Sequence, residues 1–206
     1  MSDDKRWFSE KFDVSRETLD RLSAYETLLR KWTPKINLVS ASTLDDLWAR
    51  HFADSAQLLN LTPKAGNWVD LGSGGGFPGL VVAALERQNA DLRFTLVEAD
   101  QRKAAFLRTV IRELGLNAKV IARRIEDIEP LNADILSARA LASLSTLLDF
   151  TELHRKPGGV SLFLKGENVE DEVAVALERW RFDCEKHASI TDAKSSILCI
   201  GELQRV

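Results

Sequence analysis

The sequence predicts a doubly wound α/β fold, with a mostly parallel seven-stranded sheet, helices on both of its faces and a helical extension at the N-terminus. After Asn67, short apolar runs alternate with amphipathic helical stretches, which is the pattern of βαβ units. The first sixty residues instead carry apolar residues at three- and four-residue spacings. The chain has 206 residues, the usual size of one domain. We therefore expect a single domain over 1–206, made of an extension (1–60) and an α/β core (61–206).

The extension should contain two main helices. Ser15 can cap a helix that runs through Trp32, and Pro34 is expected to end it. Thr43 can cap a second helix that reaches about Leu58. The tryptophans of these helices recur at helical spacing, so they are expected in the core rather than as base-stacking platforms.

The core should alternate strands and helices in order. Strands are predicted at 68–71, 94–97, 119–122, 134–137, 160–164, 182–190 and 196–200. Helices are predicted at about 79–88, 101–114, 143–153 and 169–180. Gly115 is a normal C-cap for the second of these helices. Parallel strands with crossover helices place the functional residues at the carboxyl edge of the sheet.

Composition excludes several classes of protein. Hydrophobic residues make up 45% and charged residues 29%, and no apolar run approaches the ~20 residues of a membrane span. The N-terminus lacks a basic segment followed by an apolar stretch, so no secretory signal is expected. Cys184 and Cys199 are far apart in sequence. A cytoplasmic protein without disulfides or membrane association is the expectation.

The net charge of −3 does not by itself indicate a polyanion partner. Basic residues exceed acidic ones only in residues 100–165, which contain 11 basic and 8 acidic residues. A nucleic acid would therefore have to bind a local cluster of lysines and arginines. Charge alone favours the simpler interpretation of scattered, solvated surface groups.

The most informative stretch is the glycine loop, Asp70-Leu71-Gly72-Ser73-Gly74-Gly75-Gly76-Phe77-Pro78-Gly79. It follows a predicted strand and opens a helix, where glycines allow a tight turn and a close approach to a ligand. Phe77 stands where a dinucleotide fingerprint needs its last glycine, and no Gly-Lys-Ser/Thr follows. A loop without lysine suits a ligand without phosphates. The sulfonium and ammonium groups of S-adenosylmethionine would favour a nearby carboxylate such as Asp70.

Two further loops fit the same ligand. Glu98 ends the second strand, where a carboxylate can accept hydrogen bonds from both ribose hydroxyls. Arg123-Arg124-Ile125-Glu126-Asp127 follows the third strand, and this loop would border the adenine. The alternatives are a surface carboxylate at a strand end for Glu98 and a helix-start carboxylate for Glu126.

Five stretches together are similar to one family. They are Lys31-Trp32-Thr33-Pro34-Lys35-Ile36-Asn37-Leu38, Arg50-His51-Phe52-Ala53-Asp54-Ser55, the glycine loop, Ser137-Ala138-Arg139-Ala140-Leu141-Ala142-Ser143-Leu144 and Leu164-Lys165-Gly166. The chain resembles the bacterial glucose-inhibited division protein B family over nearly its whole length. Members are small-subunit ribosomal RNA methyltransferases that act on N7 of one guanosine. Thr33-Pro34 departs from the family pattern, which expects a more polar, asparagine-containing stretch there.

The resemblance implies a Rossmann-like S-adenosylmethionine-dependent methyltransferase fold with a reversed hairpin at one end of the sheet. It implies cofactor contacts at Gly72, Phe77, Ile125-Glu126 and Arg139, with Ile125 contributing its backbone. Gly74 and Glu98 join this set from their place in the loops. The implied partner is small-subunit ribosomal RNA or a ribosomal particle, and a monomer is expected.

Guanine N7 carries no proton, so methyl transfer needs alignment rather than a general base, and we expect no catalytic side chain. Arg139 could instead hold an RNA phosphate, although the resemblance favours the cofactor. Lys165 is a substrate-side candidate together with Arg123 and Arg124, with a plain solvated lysine as the alternative. These three would form the local basic patch.

Other polar groups carry weaker hypotheses. Arg50 and Asp54 would share a helix face, either lining the pocket or forming a surface ion pair. His51 is equally compatible with packing and with function. Cys184, His187 and Cys199 lack the paired spacing of a zinc site, and no metal is expected.

Three other functions compete. The same fold could methylate a small molecule or a protein. A dinucleotide-dependent oxidoreductase is disfavoured by Phe77. A noncatalytic RNA-binding module is disfavoured because the glycine loop, Glu98 and Arg139 occur together.

Overall fold

The computed structural model describes residues 3–206, so residues 1 and 2 of the predicted extension lie outside the described residues. Seven strands form one sheet: β1 (Gly66–Leu71), β2 (Leu92–Val97), β3 (Ala118–Ile121), β4 (Ala133–Arg139), β5 (Arg155–Lys165), β6 (Trp180–Ala188) and β7 (Ser196–Arg205). Their order is β3-β2-β1-β4-β5-β7-β6. The pairs from β3 through to β5 are parallel, whereas β7 is antiparallel to both β5 and β6. The predicted mostly parallel fold with a reversed hairpin at its end is confirmed.

The helices cover both faces of this sheet. They are α1 (Asp3–Phe12), α2 (Arg16–Ile36), α3 (Asp54–Ala56), α4 (Gly79–Leu85), α5 (Gln101–Leu114), α6 (Leu144–His154) and α7 (Val169–Ala176). Ser15 caps α2 by accepting from the Thr18 N–H at 3.2 Å. Gly115 ends α5 in the left-handed conformation (φ 60°), as predicted. None of the helices within residues 3–206 is long and apolar enough to cross a bilayer.

Pro34 does not end α2, which corrects the prediction. The helix continues to Ile36, and Asn37 caps it in the left-handed conformation, with its N–H donating to the Thr33 carbonyl at 2.9 Å. Proline removes one hydrogen bond of the helix ladder. In the last turn this loss is local, because only two helical residues follow.

The second predicted helix of the extension is also different. Thr43 does not cap it but lies in a 3₁₀ turn (Ala41–Thr43). A π-helical segment, Trp48–Ala53, then leads through α3 into a 3₁₀ segment, Gln57–Leu61. Single π turns of this kind are common at functional sites.

Several boundaries in the core differ from expectation: α4 ends at Leu85 and β7 extends to Arg205, and two further changes involve β5 and α7. β5 begins at Arg155, because Pro157-Gly158-Gly159 lies within the strand rather than before it. α7 ends at Ala176 instead of about residue 180, since β6 starts at Trp180. Neither of these last two changes moves the carboxyl ends of the strands.

Alternate residues of β1 enter different hydrophobic layers. Trp68 packs into a cluster that includes Phe8, Leu22 and Phe106, from α1, α2 and α5. Val69 packs into a second cluster with residues of α6 and α7. Successive side chains of a strand point to opposite faces, so the extension belongs to the layer on one face of the sheet.

The strand order reverses between β1 and β4. β2 and β3 lie on one side of this pair, and β5, β7 and β6 lie on the other. In open α/β sheets, ligands bind in the crevice outside the carboxyl ends of the strands at such a switch point. The glycine loop leaves β1 and Arg139 ends β4, so both reach this crevice.

Candidate functional site

The glycine loop needs glycine for specific reasons. Gly72, Gly74 and Gly76 have positive φ angles of 62°, 55° and 93°. A side chain at Gly72 would collide with Leu141, and one at Gly76 would collide with the Tyr25 hydroxyl. At Gly74, the nearest atom to an added Cβ would be the Gly72 carbonyl oxygen, 3.8 Å away. The Gly74 position is therefore open to a ligand.

Glu98 is tied to this loop by its carboxylate. One oxygen, Oε2, accepts from the Gly74 N–H, and the other, Oε1, accepts from the Asp100 N–H, both at 2.8 Å. The side chain is buried, with 9% of the residue exposed. Each carboxylate oxygen can accept a second hydrogen bond, so the group can bind a ligand without losing the loop.

A cavity of about 420 Å³ lies over these residues. It brings together seven of the predicted site residues: Gly72, Gly74, Glu98, Arg123, Arg124, Ile125 and Glu126. Apolar groups, among them Val97, Leu141 and Phe150, complete its wall. Its size and mixed lining are those of a small-molecule site.

His154 supports one wall of this cavity, and sequence reasoning missed it. Its Nε2 donates to the Ile125 carbonyl at 3.0 Å, and the residue is fully buried at the end of α6. Burial lowers the pKa of His154, which keeps the ring neutral. A histidine ending an otherwise apolar helix pattern was the only available signal.

A larger cavity of about 810 Å³ lies next to the first. The residues Ala140, Leu141 and Ala142 line both, and we call this segment the shared wall. Ala140 has a positive φ of 52°, a conformation that non-glycine residues rarely adopt and that is enriched at functional sites. Leu38, Val39 and Lys165 are among the residues on the far side.

Arg139 lines the larger cavity and is held on three sides. Its Nη1 donates to Asp54 at 3.3 Å, and its Nη2 donates to His51 Nδ1 at 2.8 Å. The guanidinium also lies 4.7 Å from the ring centre of Phe77. Burial lowers the pKa of Arg139, whereas Asp54 opposes that shift, and the group stays charged.

His51 is a neutral histidine hydrogen-bonded between Arg139 and Thr43. Because Nδ1 accepts from Arg139, the ring proton lies on Nε2, which is 2.8 Å from the Thr43 hydroxyl. Burial lowers the pKa of His51 to about 3, and the nearby Arg139 and Arg50 add to the effect. With both nitrogens engaged, His51 is not poised to act as a general base.

Arg50 and Asp54 do not pair with each other. Arg50 reaches Asp192 at 3.5 Å, and Asp54 pairs with Arg139. The i, i+4 pairing rule applies to α-helices, and here the intervening turn is π-helical.

With this geometry established, the chain can be compared with known proteins. The family model described as GidB, rRNA small subunit methyltransferase G, matches residues 18–199. The chain belongs to this family. A relative from Ruegeria sp. (strain TM1040), named ribosomal RNA small subunit methyltransferase G, is 49% identical over 195 residues, which is 94% of this chain and 95% of that protein. A relative of the same name from Rhodospirillum centenum is 52% identical over 197 residues, or 95% of this chain and 89% of that protein.

Solved structures share the fold of this GidB-family chain. An S-adenosyl-L-methionine-dependent methyltransferase described as putative, from Methanococcus maripaludis, has a TM-score of 0.58 at 15% identity, covering 79% of this chain and 91% of that one. A SAM-dependent methyltransferase from Aquifex aeolicus has a TM-score of 0.59 at 14% identity, covering 79% and 93%. The Rossmann-like methyltransferase fold expected from the resemblance is confirmed.

Asp70 of this GidB-family chain does not lie beside the ligand, where its carboxylate was predicted to meet the positive groups of S-adenosylmethionine. It lies beneath the glycine loop with 1% exposed, and its Oδ1 accepts from the Ser137 hydroxyl at 2.7 Å. Burial raises the pKa of Asp70 to about 6, although the Ser137 bond opposes the shift. A side chain at Gly79 would collide with it. Asp70 therefore supports the loop and lines neither cavity.

Arg123, Arg124 and Lys165, predicted to form one basic patch, are divided between the two cavities. The two arginines border the smaller cavity, where Arg123 donates to the Asp127 carbonyl. Lys165 borders the larger cavity, beyond the shared wall. Its side chain is also buried rather than solvated, so it differs in kind from the two exposed arginines.

Phe77 packs beside the site rather than in it. The ring is 3% exposed, stacks on Tyr25 at 5.8 Å between ring centres and supports Arg139. Phe77 is therefore not among the residues that line either cavity, and its cofactor contact stays a prediction.

Proposed function

We propose that this chain transfers a methyl group from S-adenosylmethionine to N7 of a guanosine in small-subunit ribosomal RNA. The observation that carries the proposal is the pair of cavities meeting at the shared wall. The smaller cavity has the features of a nucleoside site, and the larger one has room for a base. Family membership supplies the RNA substrate class. We place the reaction in the cytoplasm and the enzyme as a monomer that acts on the RNA or on an assembled particle.

The smaller cavity fits S-adenosylmethionine. Glu98 has free acceptor capacity for two ribose hydroxyls, and the open position at Gly74 admits close approach to the loop. The Ile125-Glu126 backbone would meet the adenine edge, and His154 holds the Ile125 carbonyl. Gly72 would contribute a backbone contact near the methionine moiety, and Arg139 would pair with its carboxylate where the two cavities meet.

The bound cofactor supplies an electrophilic methyl group on a sulfonium. The protein's task is alignment, because guanine N7 has an in-plane lone pair and no proton to remove. The neutral, fully engaged His51 agrees with a reaction that needs no base. Arg139, held by Asp54 and Phe77, is a fixed charge at the boundary of the two cavities.

The test is transfer of a labelled methyl group to small-subunit particles that lack the modification, followed by mapping of the label. We expect one labelled guanosine, with the label released as 7-methylguanine. Matched particles that already carry the modification should accept no label. Label on protein, on a small molecule or on another base would contradict the proposal.

A further inference from the structure

Lys165 has one N–H that no protein group within residues 3–206 accepts. It ends β5 and lines the larger cavity, yet only 9% of the residue is exposed. Its ammonium donates to the Ala142 carbonyl at 2.9 Å and pairs with Glu172 at 2.6 Å. An ammonium has three N–H groups, so one is left without a partner within residues 3–206. Because Lys165 lines the larger cavity, this N–H is available to an acceptor that enters the cavity.

Lys165 is also fixed in direction. Glu172 accepts from the Leu144 N–H at 2.7 Å while it pairs with Lys165. The two contacts tie β5 and α7 to the segment just after β4, and Ala142 itself belongs to the shared wall. The remaining N–H therefore belongs to a group held beside the shared wall, where the proposed function places methyl transfer.

The ion pair makes this donor suitable for a base that becomes positively charged. Methylation at N7 turns the neutral purine into a cation, and an unpaired ammonium nearby would oppose that change. The Glu172 carboxylate neutralises Lys165, so the pair offers an N–H without a net charge.

The N7 edge of a purine identifies the base. Guanine presents N7 beside the acceptor O6, whereas adenine presents N7 beside the donor N6 amino group. We propose that Lys165 donates its third N–H to O6 of the target guanine and thereby selects guanine over adenine at this site. The inference rests on the proposed function, since it names the atom that the larger cavity recognises.

The experiment is a double-mutant cycle between the enzyme side chain and the base atom. Small-subunit particles are reconstituted with guanosine or with 2-aminopurine at the methylated position; the analogue keeps N7 and lacks O6. Single-turnover methyl transfer is measured for the wild type and for Lys165→Met. We expect the wild type to prefer guanosine by about tenfold or more, the scale of one base-reading contact. Lys165→Met should lose that preference by slowing on guanosine while keeping its rate on 2-aminopurine.

Controls separate recognition from folding. Lys186→Met removes another lysine that pairs with α7, through Glu170, but away from both cavities, and it should keep the guanosine preference. Affinity for S-adenosylhomocysteine should be unchanged in Lys165→Met. If Lys165→Met does not fold, the double variant Lys165→Met/Glu172→Gln is measured in its place, because it removes both charges of the ion pair and leaves neither partner unpaired.

The outcomes are distinct. Equal loss on both bases in Lys165→Met, or an unchanged preference, would overturn the inference. A wild type that methylates both bases at the same rate would also overturn it, whatever the variants do. No transfer to guanosine particles by the wild type would instead refute the proposed function itself.

Discussion

Replacing Glu98 with glutamine tests whether the smaller cavity binds the cofactor. Both carboxylate oxygens accept backbone N–H groups at 2.8 Å, from Gly74 and Asp100. Glutamine has only one oxygen, so its amide nitrogen would face one of these donors. The variant would thus lose a charged acceptor and leave a backbone N–H unpaired, each worth roughly 1–3 kcal/mol. Part of that cost already applies to the protein without ligand. We therefore expect the substitution to weaken the binding free energy by about 1.4–2.8 kcal/mol, which raises Kd roughly ten- to a hundredfold.

The assay is calorimetric titration of S-adenosylhomocysteine into wild-type protein and Glu98→Gln at pH 7. Glu113→Gln is the matched control, because Glu113 is an exposed carboxylate on α5 that pairs with Arg112 and lines neither cavity. It should bind as the wild type does. Thermal melts without ligand report how much of the effect is local destabilisation. An affinity for Glu98→Gln within twofold of the wild type, at equal stability, would refute the assignment of this cavity.

Gly74, His51 and Asp70 offer three more tests of the site. Gly74→Val should abolish S-adenosylhomocysteine binding, measured by calorimetry, while its circular dichroism spectrum stays native. Gly158→Val carries a similar positive-φ penalty away from the cavity and should bind normally. Equal affinities of the two variants would contradict the placement of the loop. The single-turnover transfer rate should stay flat between about pH 6 and 8 in the wild type and in His51→Ala, because the pKa of His51 is near 3; a rise of unit slope that His51→Ala removes would reveal a general base. Because burial raises the pKa of Asp70 to about 6, the native state holds a proton that the unfolded chain releases near its ordinary value of 3.8. As the pH rises from about 4 to 7, the wild-type free energy of unfolding should therefore fall by up to about 3 kcal/mol relative to that of Asp70→Asn, measured in urea titrations. If the two proteins show parallel pH dependences, Asp70 is not buried as a neutral acid.

The sequence predicted the structure best where a short segment alone determines the local conformation. α5 runs from Gln101 to Leu114, as its periodicity and the Gly115 cap predicted. The glycine loop, Glu98 and the Ile125-Glu126 turn follow three successive strands, and the topology alone brings them to one cavity. Such features need no knowledge of distant contacts.

The sequence was least informative where the outcome depends on packing between distant segments. Asp70 lies at a strand end like Glu98, yet the approach of α4 at Gly79 buries it. Lys165 looks like an exposed strand-end lysine until α7 brings Glu172 to it. The π turn at Trp48–Ala53 was not predictable from a 3.6-residue period, and it decides that Asp54 pairs with Arg139.

The contact between α2 and the glycine loop has a consequence for how this protein can change. The Tyr25 hydroxyl donates to the Gly75 carbonyl, and its ring packs against Phe77 and Phe52. A fragment starting at residue 61 would retain all seven strands but lose the support beneath the loop. Selection for altered cofactor affinity should therefore act on Tyr25 and Phe52, residues that line neither cavity. The extension and the residues around the smaller cavity should therefore evolve together, so a relative cannot exchange its extension freely for that of another family member.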